Sequence, residues 1–175
     1  MRNSFYSFLV LSLALAGCAS APTSYDLSAA TPGRWARGTL AVDTARVEPP
    51  FDGDVIVIRT SSGLERLGGA QWADNLPRLA RSRVTESLEN AGWRVSDTGT
   101  LRLRVEIRRF EIDAPLREAR VELAAQFSGG GPAGVRLFAA SAPVSEISGA
   151  EPAQALDRAF SRVLGDLARW TVSGR

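Results

Sequence analysis

Residues 101–125 read LRLRVEIRRFEIDAPLREARVELAA, and the alternation in this stretch decides the fold class. Leu101, Leu103, Val105 and Ile107 alternate with Arg102, Arg104, Glu106 and Arg108; further on, Ala119, Val121, Leu123 and Ala125 alternate with Glu118, Arg120, Glu122 and Ala124. A period of two makes each segment a strand with one apolar and one wet face. Paired as an antiparallel hairpin, the register with Arg108 opposite Glu118 also sets Glu106 opposite Arg120 and Arg104 opposite Glu122, so every outward pair is opposite in sign. Shifted registers are less uniform: one places Glu106 opposite Ala124 and another sets it against Glu122. The charge-matched register is therefore expected. Phe110 and Ile112 fall on the wrong parity for the first strand, so a bulge near Arg108-Arg109 is needed to turn them inward.

Upstream, the apolar positions Leu76, Ala80, Val84, Leu88 and Ala91 recur at helical spacing. Asp74 or Asn75 is available as cap, Pro77 falls in the first turn and Gly92 stands just past the end, which predicts a helix over 76–91. Residues 39–47 and 54–59 are rich in β-branched side chains and separated by Pro49-Pro50-Phe51-Asp52-Gly53, so they read as two strands around a turn. A short strand is expected over 64–67, bounded by Gly68-Gly69, and another over 93–96.

Downstream, Gly129-Gly130-Gly131-Pro132 lies between two strands. It has neither the following helix nor the lysine of a phosphate-cradling loop, so it reads as a strand connection. The last strand is expected over 135–144, with Pro143 marking a sheet edge. A final helix over 152–170 carries Leu156, Phe160, Val163, Leu167 and Trp170 at steps of four and three, too short a run for a coiled coil and suited to packing across the domain's own sheet. The fold class is thus α+β: a mainly antiparallel sheet with two helices packed on one face.

All 21 basic residues are arginine, against 19 acids, with no histidine or lysine in the chain. Almost nothing titrates between the carboxylates and the arginines, so the sequence pI near 9.3 sits on a flat charge curve and does not signal a basic surface. Nucleic-acid binding, which needs a clear positive excess, is not expected. The missing histidine removes the commonest general base and transition-metal ligand, and the serines have no histidine or lysine to activate them as nucleophiles. Paired carboxylates of a glycosidase are not singled out by any spacing, and Glu106, Glu118 and Glu122 suit a charged sheet face better. Asp52-Gly53-Asp54 reads as a turn and not as half a calcium site. The expectation is no enzyme, no cofactor and no metal.

The N-terminus has a charged start at Arg2, an apolar stretch of about a dozen residues and then Leu15-Ala16-Gly17-Cys18. That order is a signal peptide, and the stretch falls short of the roughly 20 residues that span a bilayer. The ending resembles a lipobox, in which cleavage precedes a cysteine already joined to diacylglycerol. The expected organisation is a signal peptide over 1–17, a lipidated Cys18 and flexible tether over 18–37, and the domain over 38–175. Several acyl chains hold a protein to a membrane far more firmly than one. Ala19, where enterobacterial sorting would read aspartate as an inner-membrane signal, points to the outer membrane. With a single cysteine, no intramolecular disulfide forms, so stability rests on packing.

Tyr25-Asp26-Leu27 soon after the lipobox, the stretch 55–59, Gln71-Trp72-Ala73-Asp74 leading into Leu76-Pro77, and the stretch 105–110 together resemble the ABC-type transport auxiliary lipoproteins, the PqiC-like family. The resemblance implies an outer-membrane lipoprotein facing the periplasm that docks an MCE-type lipid transport system, with an MCE-domain protein as partner, self-association into a homo-oligomer, and no catalytic residues. Trp72, just before the first helix, is the most recognisable point of the match. It reads either as a packing residue fixing the direction of that helix or as a partner contact. The alternative function is support of another envelope machine, in secretin assembly or lipopolysaccharide export, for which leader and tether would look the same.

Overall fold

A computed structural model of the chain describes residues 21–43, 45–47 and 49–173. In chain order the elements are β1 (Thr23–Tyr25), β2 (Thr39–Val42), β3 (Arg46–Val47), β4 (Val55–Arg59), β5 (Leu64–Trp72), α1 (Leu76–Asn90), β6 (Arg94–Val95), β7 (Arg102–Asp113), β8 (Glu118–Ser128), β9 (Val135–Pro143) and α2 (Glu151–Ser173). β7 is the axis of the sheet. One of its edges pairs antiparallel with β8, which pairs antiparallel with β9. Along the other edge lie β2, β3 and β4 in succession, all parallel to β7, with Ala41 beside Arg102, Arg46 beside Glu106 and Val57 beside Glu111. The sheet then continues from β4 to antiparallel β5 and parallel β1, while β6 adds to β2. The long antiparallel ladders carry most of the paired residues, and the parallel ones are short.

Both helices cover one face. Toward them point Leu103, Val105, Ile107, Phe110 and Ile112 of β7 and Val121 and Leu123 of β8, all buried. The α2 stripe expected from sequence is core: Leu156, Phe160, Val163, Leu167 and Trp170 are 6% exposed or less. Trp72, Phe110 and Phe160 form a chain of edge-to-face contacts, with ring centroids 5.7 and 5.5 Å apart, an arrangement favoured by the ring quadrupoles. At α1, Asn75 is the cap, its side-chain oxygen accepting from the Arg78 N–H at 3.1 Å, and Asp74 pairs with the Arg78 guanidinium.

The hairpin register differs from the charge-matched one. The strands set Asp113 opposite Glu118, Glu111 opposite Arg120, Arg109 opposite Glu122 and Glu106 opposite Ala124, with the expected bulge between Ile107 and Arg109. Arg104 faces Gln126, not Glu122. Energetics explain the choice. Cross-strand charge pairs contribute roughly 0.2–1 kcal/mol each, whereas burying a phenylalanine or isoleucine contributes about 1.5–3 kcal/mol. The expected register would leave Phe110 and Ile112 in a nine-residue loop; the observed one continues β7 to Asp113 and places both in the core. The chain then closes through Ala114–Arg117, where Arg117 adopts φ 52° and the Asp113 carboxylate accepts from the Leu116 N–H at 3.2 Å.

Three further boundaries move. Residues 39–47 form two short strands, and β5 runs through Gly68-Gly69 to Trp72 instead of stopping at Leu67. Residues 23–36, assigned from composition to the tether, are part of the domain: β1 pairs with β5, and Leu27, Ala30 and Ala36 are buried. β9 is an edge strand ending at Pro143, as the proline suggests. The connection over 129–134 holds Gly129 at φ 78°, where an added Cβ would lie 2.0 Å from the Thr100 carbonyl oxygen.

Two predictions test this packing. Phe160→Ala removes the ring that joins α2 to Phe110 and should destabilise the domain by about 3–5 kcal/mol, read from urea unfolding. At the start of α2, the backbone N–H groups of Ser145 and Glu146 donate to the Glu151 carboxylate at 2.7 and 2.9 Å, and the Ser145 bond is the main cause of a pKa lowered from the ordinary value. A lowered folded-state pKa means that the stabilisation is complete above the unfolded-state value, roughly 4.3, and is lost as pH falls through the folded-state value. The Tm deficit of Glu151→Gln at neutral pH should therefore shrink below about pH 4.

Candidate functional site

The two residues singled out from sequence fare differently. Cys18 lies outside the described residues. Trp72 is 1% exposed: its ring packs edge-to-face on Phe110, and its backbone N–H donates to the Asp54 carbonyl at 2.7 Å. The partner-contact reading of Trp72 is thereby corrected to packing, because β5 continues to this position and its parity points the indole into the core. Among the described residues no three His, Cys, Asp or Glu groups converge as a metal site.

The sheet face away from the helices carries a charged cluster. Glu111, from the middle of the sheet, is fully buried on that face. It accepts from the Arg59 guanidinium in a two-point arrangement, Nε to Oε1 at 2.7 Å and Nη2 to Oε2 at 2.9 Å, with the Arg109 Nε 3.6 Å away. Arg120, opposite Glu111 on β8, turns to the Asp113 carboxylate at 3.3 Å. Hydrogen bonding to Glu111 raises the Arg59 pKa above its ordinary value. The two-point pairing of Arg59 with Glu111 makes the cluster a clamp that ties the end of β4 to β7. The bulge at Arg108 builds it, since it sends Glu111 and Asp113 outward together with Arg109.

Apart from Trp35, the exposed large apolar side chains among the described residues mark two other places. Val135 (58% exposed) and Leu137 (54%) face outward on the unpaired edge strand β9. Leu64 (44%) and Leu116 (58%) stand at the end of the sheet where the 60–63 and 114–117 turns meet, joined by a hydrogen bond from the Ala114 N–H to the Arg59 carbonyl at 2.9 Å. Pro143 pointed to the β9 edge in sequence, but Leu116 was hidden by the expected register, which placed it in a long loop. A groove of about 710 Å³ runs between residues 29–32 and α2 and is walled by Arg162, Asp166 and Arg169. Such walls do not suit an acyl chain, which needs an apolar lining.

The chain thus folds as a small α+β domain with a charged clamp on one sheet face, exposed apolar edges and an aromatic core. The chain belongs to the ABC-type transport auxiliary lipoprotein component family, whose pattern it matches over residues 24–168. The match begins inside β1, in keeping with the packed segment 23–36. This is a family of transport accessories and not of enzymes, and the chain has no catalytic role. Among curated proteins it is similar to uncharacterized protein bll6063 of Bradyrhizobium diazoefficiens, 37% identical over 112 residues, a span of 58% of this chain and 30% of that protein. The chain therefore corresponds to less than a third of that relative's length. Among solved structures it is similar to protein XCC0632 from Xanthomonas campestris, with a TM-score of 0.69 and 25% identity over 87% of this chain and 94% of that one. Hypothetical protein CT253 from Chlamydia trachomatis shares the fold, with a TM-score of 0.50 and 9% identity over 78% of this chain and 98% of that one.

The clamp makes a prediction. Arg59→Met leaves the Glu111 carboxylate buried with only the longer Arg109 contact and should cost about 1–3 kcal/mol in urea unfolding. The double variant Arg59→Met with Glu111→Leu should recover most of that loss, because an apolar pair replaces a buried ion pair at little cost.

Proposed function

We propose that this protein is an outer-membrane-anchored periplasmic lipoprotein that serves as a docking component of an MCE-type ABC lipid transport system, held by lipid on Cys18. The family match over residues 24–168 carries the reading. Leu15-Ala16-Gly17-Cys18 supplies the anchor and Ala19 the sorting preference. Several buried acyl chains give effectively permanent attachment, which suits a fixed dock and not a carrier diffusing between membranes. The core argues the same way. Both helices and the facing side of the sheet are spent on the domain's own packing, and enclosing even a drug-sized ligand takes an apolar pocket of roughly 300–1,000 Å³. The partner is the periplasm-spanning MCE-domain protein, and the open β9 edge with Val135 and Leu137 favours self-association as well.

Replacing Cys18 with Ala should move the protein from the outer-membrane fraction to the soluble periplasm, and retention in the membrane at high salt would reject the anchor. Crosslinking in cells should join the wild-type protein to the MCE-domain component. A strictly monomeric protein that crosslinks to no transport component yet co-purifies with bound phospholipid would overturn docking in favour of carriage.

A further inference from the structure

We propose that the end of the sheet formed by the 60–63 and 114–117 turns rests on the lipid surface to which Cys18 is attached, with Leu64 and Leu116 in its headgroup layer. The inference builds on the lipidation of Cys18 and adds to it an orientation and a contact surface. It starts from the direction of β1. That strand runs parallel to β5, with Thr23 beside Ala70 and Tyr25 beside Trp72. Followed backward from Thr23, the chain heads toward the start of β5, the end where Leu64 pairs with Arg59.

The length of chain before β1 limits where the membrane lies. Four residues lie between Cys18 and Thr23, and the five steps from one Cα to the other reach at most about 17 Å when extended. Gln71, next to Thr23's partner, lies opposite Val55, and Leu64 lies opposite Arg59. Those levels are four residues of β4 apart, about 13 Å at strand rise. A lipidated Cys18 thus reaches the level of Leu64 with little chain to spare, and the domain has no room to stand off from the bilayer.

What that end presents suits a lipid surface. Leu116 is 58% exposed and Leu64 44% exposed, with Pro115 exposed beside them. The turn that displays Leu116 is fixed: the Leu116 N–H donates to Asp113, the Arg117 N–H to the Ala114 carbonyl at 3.2 Å, and the Val144 N–H to the Arg117 carbonyl at 2.9 Å. Charges around it are mixed, with Glu65, Arg66, Arg117 and Glu118 of both signs, so contact arises from apolar side chains and not from attraction to anionic headgroups. Two leucines bind a membrane weakly on their own. Tethered by a short link, they act at high effective concentration.

The test uses the full-length lipidated protein in phospholipid vesicles. Cys18 is the only cysteine of the chain, and its sulfur is consumed by lipid, so one added cysteine is the sole thiol for an environment-sensitive fluorophore. Labels at Leu116→Cys and, as a second position in the same turn, Pro115→Cys should be quenched several-fold more strongly by nitroxide on the lipid than a label at Ala133→Cys, in the 129–134 connection at the opposite end. The difference should persist in high salt. Protein that floats with the vesicles but shows equal, reversed or absent quenching overturns the orientation alone. Protein that fails to float overturns the lipid anchor and the orientation with it.

Discussion

One extra residue in β7 sets what the rest of the domain is. Up to Ile107 the strand sends its odd-numbered residues to the helices; after the bulge at Arg108 the even-numbered Phe110 and Ile112 take over. That switch gives α2 a continuous apolar surface long enough to bury Leu156 through Trp170. It also gathers Arg109, Glu111 and Asp113 on the outer face, where Arg59 closes over Glu111. Without the bulge, the aromatic chain from Trp72 to Phe160 would have no middle member and β4 would have no ion pair at its end.

The same strand also explains which interactions dominate. Packing decides register here, and charge adapts to it. Glu111 keeps an opposite-sign neighbour in Arg120, and Arg109 keeps Glu122, but Asp113 meets Glu118 and is served instead by Arg120 from the same face. A half-buried surface pair such as Arg109 and Glu122 contributes little. The buried Glu111 is different, because its cost if unpaired is large, and it is the only one of these acids to receive two bonds from one guanidinium.

Much of this was legible in the residues. The period-two runs, the 3.6-period stripes of α1 and α2, the bulge and the edge at Pro143 all follow from patterns within a dozen residues. What the patterns hid has a common physical cause: it depends on partners distant in sequence. Residues 23–36 look like a linker by composition, yet Leu27 and Ala30 are buried and Tyr25 lies beside Trp72. The register was misread by weighting the surface charges over Phe110 and Ile112, though the parity of those two residues already demanded the bulge. Trp72 stood out as a recognisable residue, but its inward direction required knowing that β5 continues through two glycines. Of the exposed apolar surfaces, the β9 edge was within reach of sequence through Pro143, whereas the exposure of Leu116 was not.

The order of strands along β7 bears on how the chain matures. β2, β3 and β4 come early in the sequence, but the strand they join comes about sixty residues later, with Ala41 beside Arg102 and Val57 beside Glu111. Such distant parallel pairing carries a high contact order and makes for slow assembly. The β7–β8 hairpin, by contrast, pairs locally through a four-residue turn. A chain delivered N-terminus first therefore presents β3 unpaired, and β2 and β4 each with an open edge, until β7 arrives, an interval in which open strand edges invite association with other chains.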